Sequence, residues 1–148
     1  MPQVRTDPYP AFVFQVIVPG ISDDPNTPKA MFAEVNGLGL EIDVVEYRTG
    51  GDFAIRKLPG LTKTTDVTLK RGIIGDLTFW NWLQTGVQGK LVRADVQIVL
   101  LDEQLKPVLR WKLRRAWIRK YEGPALNAKS SDVAIESLTL THEGLEIE

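Results

Sequence analysis

Cysteine is absent from the 148 residues. That removes disulfides and thiolate metal sites and leaves packing as the source of stability. Histidine is nearly absent too: His142 alone would have to serve any histidine metal cluster or Ser-His-Asp arrangement. Net charge is close to nil, with 18 basic residues against 19 acidic ones, so the strongly basic balance of a nucleic-acid-binding domain is missing. No apolar run approaches the roughly 18–20 residues of a membrane span, and Met1-Pro2-Gln3-Val4-Arg5 opens polar. The expectation is therefore synthesis in the cytoplasm with no signal peptide and no membrane anchor. Repeats and low-complexity segments are also lacking. What remains, 43% hydrophobic and 25% charged residues, suits one folded domain with a sizeable core.

Along the chain, Pro2, Pro8 and Pro10 make residues 1–10 an irregular arm. Ala11 to Val18 reads as a strand apolar on both sides, and Gly20 to Lys29 as a loop. Two short strands, Met31 to Asn36 and Glu41 to Tyr47, are joined through Gly37-Leu38-Gly39. No third glycine and no following helix complete a phosphate loop there, so a tight turn or bulge is expected. Lys63 to Leu69 alternates as one strand. A helix follows, capped by Asp76 and ended by Gly86, with Leu77, Trp80 and Leu83 on its apolar stripe and Phe79 and Trp82 flanking.

Val92, Ala94, Val96, Ile98 and Leu100 line one face of the next strand, which turns at Asp102-Glu103-Gln104-Leu105. Val108 to Tyr121 fits both periods, but the short acidic connection and the aromatics favour a returning strand. The last strand, Asp132 to Glu143, changes phase midway, which predicts a bulge near Glu136-Ser137. The sum is a single all-β domain of about seven strands, barrel or sandwich, with one flanking α-helix.

The stretch from Val45 to Gly72 stands apart. Gly50-Gly51 is a flexible corner and Pro59-Gly60 reads as a turn. Between them Phe53, Ile55 and Leu58 alternate with Arg56 and Lys57 over no visible core. Such a projecting arm, residues 48–60, makes sense if a neighbouring molecule covers it. Wholly apolar strands and near-zero net charge favour the same self-association.

Other chemistry is thinly supported. His142 has no evident nucleophile or orienting partner, which leaves a surface or interface histidine. Asp52 and the pair Asp102-Glu103 sit at turn tips, where acids serve turn geometry. Phe79-Trp80-Asn81-Trp82 reads as helix packing. Seven basic residues between Lys106 and Lys120, interleaved with Trp111, Trp117 and Tyr121, have the pattern of a single-strand nucleic-acid-binding β-barrel. A charged strand face meeting a neighbour or lining a channel explains them equally. No catalytic site, cofactor or metal is expected.

Several segments together resemble one family. They are Phe32 to Leu38, Val45 to Gly51, Leu58-Pro59-Gly60-Leu61-Thr62-Lys63, Thr68-Leu69-Lys70-Arg71-Gly72 and Ile98 to Glu103. Lys120-Tyr121-Glu122-Gly123-Pro124, Val133 to Glu136 and His142-Glu143-Gly144-Leu145 continue the series in the same order. In these the chain is similar to the inner-tube proteins of contractile phage tails and, especially, of extracellular contractile injection systems. It is more distantly similar to the haemolysin-coregulated tube protein of type VI secretion.

The resemblance implies a non-enzymatic protomer that forms homohexameric rings, stacked into a tube inside a sheath and above a baseplate and spike. Cargo or DNA would occupy the lumen, in a phage tail or an extracellular injection particle. It further implies ring stacking through Tyr47, Arg48, Gly50, Gly51, Asp52, Phe53, Ile55, Leu58, Pro59 and Gly60. Thr64, Asp66, Thr68 and Lys70, or Arg110, Lys112 and Arg114, are candidates to line the lumen. A type VI-like secreted tube or chaperone ring is the nearest alternative within that resemblance.

Overall fold

The computed structural model describes residues 14–19, 32–51, 53–72, 77–129 and 133–148. The proposed N-terminal arm, the loop after Gly20, Asp52 and Asp76 lie outside the described residues. Nine strands and one helix follow in the order β1 (Phe14–Ile17), β2 (Glu34–Asn36), β3 (Leu40–Tyr47), β4 (Arg56–Thr64), β5 (Val67–Gly72), α1 (Thr78–Val87), β6 (Ala94–Leu101), β7 (Pro107–Glu122), β8 (Ile135–Thr141) and β9 (Gly144–Ile147).

The 16-residue β7 is the spine of the domain. Its first half takes β6 on one edge and β9 on the other. Its second half pairs with β8. β8 and β9 follow one another along the same edge, Ile118 against Leu140 and Leu113 against Leu145, with a break at His142-Glu143 and a slip between Ile118 and Lys120. Level with that break, Arg115 adopts φ 50°, and the β6–β7 register slips between Ala94 and Val96. The spine therefore divides the large sheet into two layers, β1-β6-β7-β9 and β7-β8-β5-β2.

Between the layers lies one core: Val16, Val96, Ile98 and Leu113 from the first, and Val67, Leu69, Leu138 and Leu140 from the second, all buried. Alternation along β5 (Val67, Leu69 and Arg71 buried, Thr68 and Lys70 partly exposed) sets which face is inside. The large sheet's path ends at β1 and β2 and is not closed, so the sandwich form of the expectation holds, with nine strands rather than seven among the described residues.

Three local expectations are corrected. Lys63 to Leu69 is not one strand: β4 ends at Thr64 and β5 begins at Val67, so the alternation there spans a joint. β8 has no bulge at Glu136-Ser137. It pairs with β5 without a slip from Gly72 opposite Ile135 to Val67 opposite Leu140. Val133 and Ile135 are exposed, so the change of phase reflects apolar residues turned to solvent; the irregularity lies in β7, between Ile118 and Lys120.

The helix is also rotated and longer. It buries Phe79 and Trp82 while Leu77 and Trp80 are exposed, and it runs through Gly86 to stop at Gln88-Gly89. No side chain among the described residues caps its start at Leu77. Trp82 Nε1 donates to the Val92 carbonyl at 2.7 Å, which ties the helix to the chain leading into β6. Phe79 meets Phe32 edge-to-face, with ring centroids 5.3 Å apart.

Candidate assembly surface

β3 and β4 form a two-stranded sheet of their own. Such a ribbon is marginal in water by itself, so its order depends on how its base is held and on what covers it. The base is held firmly. Gly37 takes φ 93°, and a Cβ there would lie 2.1 Å from the Asp66 carbonyl oxygen, so only glycine admits this approach of β2–β3 to β4–β5. The Asp66 carboxylate pairs with Arg119 of β7. Thr64 Oγ1 donates to the His142 carbonyl at 3.2 Å. The buried His142 ring lies between two carbonyl oxygens, Nδ1 3.1 Å from that of Gly144 and Nε2 2.9 Å from that of Thr65.

His142 is thus neither surface residue nor base beside a nucleophile. It is a bolt joining the end of the ribbon to the break in the spine. Sequence reasoning missed this because burial of a lone histidine late in a strand leaves no periodic signature.

Pro59-Gly60 is not a turn. β4 runs straight through it, with Pro59 opposite Val44 and a bulge between Ile42 and Val44. The bulge sets Gly60 and Leu61 against Asp43 alone. A Cβ at Gly60 would meet Val45 Cγ2 at 3.0 Å and the Asp43 carbonyl oxygen at 3.1 Å. The lack of an N–H on Pro59 is tolerable because β4 pairs with β3 alone among the described residues, which leaves it an open edge. The paired strands on either side of the expected arm reach from Leu40 to Thr64, so residues 48–60 take in only the join and the first part of β4.

Directly opposed residues share a face, so Leu40, Ile42 and Val44 line up with Thr64, Thr62 and Pro59. The other face carries Glu41 with Lys63, then Val45 with Leu58 and Tyr47 with Arg56. Lys63 pairs with Asp43 at 3.2 Å. Nine apolar residues of the ribbon are half exposed or nearly so, among them Val44 (61%), Leu61 (80%) and Phe53 at the tip (103%). At roughly 100 Å² per side chain that is on the order of 900 Å², above the roughly 800 Å² per partner of a stable interface. Of the residues assigned to stacking, Tyr47, Phe53, Ile55, Leu58 and Pro59 are exposed on this ribbon, whereas Gly60 serves its bulge. Leu40, Ile42, Val44 and Leu61 extend the surface beyond the sequence reading. The legible signal for them was an apolar strand with no second apolar strand beside it.

The candidate lumen residues fall on two layers. Thr68 and Lys70 share the outward face of the second layer with Ser137, Thr139, Glu34 and Asn36, a face of hydroxyls and charges. Thr64 and Asp66 belong to the base of the ribbon. Arg110, Lys112 and Arg114 lie on the first layer. Arg114 grips Glu146 through two bonds, 2.6 and 2.9 Å, and this guanidinium holds the Glu146 carboxyl below its usual range. The basic residues of β7 are largely paired: Arg115 with Glu143, Arg119 with Asp66, Lys120 with Glu122. Trp111 and Tyr121 pack against the core, so these rings and the basic side chains do not form one stacking platform.

Asp102 is a turn-former: its carboxylate accepts from the Gln104 and Lys106 amides at 2.8 and 2.9 Å. Among the described residues no cluster of three His, Asp or Glu could hold a metal, and no helix is long and apolar enough to cross a membrane.

Comparison with known families decides what this architecture is. The model of the T4-like virus tail tube protein gp19 family matches residues 10–146. The chain belongs to that family. It is a structural tube component of the contractile-tail type, and the expected fold is the fold it has.

Among solved structures, a chain of the sheath–tube complex of an extracellular contractile injection system, PVC, in the extended state is 26% identical. That match has a TM-score of 0.83 and covers 95% of this chain and 91% of that one. A chain from the PVC sheath/tube terminator is 24% identical with a TM-score of 0.85, covering 98% and 99%. Hcp1 from Flavobacterium johnsoniae shares the fold at 12% identity and a TM-score of 0.54, covering 92% and 94%. Comparison with curated proteins gives no match.

Proposed function

We propose that this tail tube protein assembles as homohexameric rings that stack into the inner tube of a contractile injection machine. The tube lies within a sheath and is seated on a baseplate and spike, with cargo or DNA in the lumen. The observation that supports this reading is the β3–β4 ribbon, a firmly based arm whose apolar surface finds no cover among the described residues of its own subunit. A second copy supplies that cover, so the arm gains its stability on assembly rather than within the monomer. The hydroxyl-rich pairs Thr68 with Thr139 and Lys70 with Ser137 suit a lumen along which material slides, because they are polar, with exposed Ile135 confined to one end of the same face. The protomer acts by assembling rather than by catalysing, and its acid Asp102 and its histidine are engaged in a turn and in the ribbon base.

Electron microscopy with light scattering on the purified chain tests this. Six-fold rings and stacked tubes are expected, and Leu61→Asp should remove stacking while leaving the circular dichroism spectrum unchanged. A chain that remains monomeric at high concentration, with or without the substitution, would refute it.

A further inference from the structure

The ribbon springs from one end of the β5–β8 pair, where Val67 opposes Leu140. At the other end, where Arg71 opposes Glu136, helix α1 stands off the sheet and leaves a cavity of about 290 Å³. Its walls are Leu77 and Trp80 of the helix, Tyr121 of β7 and Leu138 of β8. Trp80 and Tyr121 meet edge-to-face at 5.3 Å, and Leu77 is 61% exposed at the rim. The floor is polar but already satisfied. Arg71 Nε donates to Glu136 Oε1 at 2.6 Å, Tyr121 Oη donates to Glu136 Oε2 at 3.0 Å, and the Arg71 guanidinium lies 5.1 Å from the Phe79 ring centroid. A cavity of this make-up asks for an apolar group, not for a charge.

We infer that this socket under α1 receives the ribbon tip of a second copy, with Phe53 as the inserted side chain. The inference rests on the stacking reading and names its receptor. Three observations carry it. Phe53 is fully exposed at the tip, and the ribbon presents more apolar area than a stable interface requires. The cavity is large enough for one aromatic ring and is lined by two rings that can meet it edge-on. Ribbon base and socket occupy opposite ends of the same strand pair, so one copy's tip meeting another's socket is a head-to-tail contact. Head-to-tail contacts propagate rather than close as a two-fold dimer. A second apolar cavity of comparable size, about 240 Å³ between Phe14, Val35, Leu38 and Trp111, runs along β2 from Glu34, level with Lys70, to Leu38 beside the ribbon base.

The absence of cysteine makes the test direct. Ala54→Cys beside Phe53 and Asn81→Cys, one turn beyond Leu77 on the helix, are combined in one chain and treated with a short bis-maleimide under assembly conditions. A control chain combines Ala54→Cys with Leu38→Cys, where the second cavity reaches the ribbon base. The expected result is a ladder well beyond dimer for the first pair, at least tenfold weaker in the control, and lost when Phe53→Asp is added. Stacked rings in the micrographs without that ladder, or with the ladder in the control, overturn the socket while leaving stacking intact. Failure of the unmodified chain to form stacked rings overturns the stacking reading, and the socket with it.

Discussion

Replacing Gly37 by alanine is the sharpest test of how the ribbon is held. The residue has φ 93°, which costs an L-residue roughly 1–2 kcal/mol. The new methyl would stand 2.1 Å from the Asp66 carbonyl oxygen, 3.1 Å from its carbon and 3.3 Å from Val67 Cα. All three are backbone atoms, so no flexible side chain can swing away. Relief requires a shift of the joint between β4 and β5, comparable to overpacking at about 1–3 kcal/mol. Together the loss is about 2–5 kcal/mol, a large part of the roughly 5–15 kcal/mol that holds a domain. In urea titrations read by tryptophan fluorescence, with a slope of roughly 1–3 kcal/mol per M, the midpoint should fall by at least about 0.7 M. Gly50→Ala, whose Cβ meets nothing within 4 Å, is the matched control and should stay within about 0.5 kcal/mol of the parent. Equal midpoints for the two variants would refute the clasp at the ribbon base.

Further expectations follow from the same geometry. Leu140→Ala, at a fully buried core position, should cost about 2–5 kcal/mol in the same titration. His142→Ala removes both ring contacts and should cost about 1–3 kcal/mol, with amide exchange accelerating first near Thr65 and Gly144. Burial, with the bond to Glu136 second, raises the Tyr121 hydroxyl above its ordinary value. The unfolded chain then ionises first, so stability is complete below about pH 10 and declines as pH rises beyond it. Tyr121→Phe should flatten that alkaline decline, and an unchanged pH profile would count against the burial of this hydroxyl.

Strand content was readable where alternation and turn chemistry agreed. Val96 and Ile98 mark the inner face of β6, Asp102 turns the chain, and the aromatics of β7 sit on a strand although their spacing also suits a helix. Reading failed where one residue type serves two geometries. Pro59-Gly60 suits a turn and equally a bulge on an open-edged strand, and only pairing with Val44 separates them. Val133 and Ile135 look like core because an apolar residue turned to solvent leaves the same letters as a buried one. The apolar, uncovered character of residues 53–58 was visible in the sequence. Its continuation to Leu40 and Leu61, and the burial of His142, depend on contacts between residues as much as 78 positions apart.

The long reach of the β5–β8 pairing has a consequence for the order in which a subunit matures. The ribbon closes over a short connection from Tyr47 to Arg56, the kind of hairpin that forms in about 1–10 μs. Arg71, Tyr121 and Glu136 come together only when segments as much as 65 residues apart have met, and such non-local pairing is the slow step in β-rich chains. The ribbon's base waits for the same event, since Thr64 and Thr65 meet His142 only when residues 77 and 78 positions apart have met, so arm and cavity mature together. If the proposed docking holds, an unfinished chain can then neither dock nor be docked upon, and a stack grows by folded subunits alone.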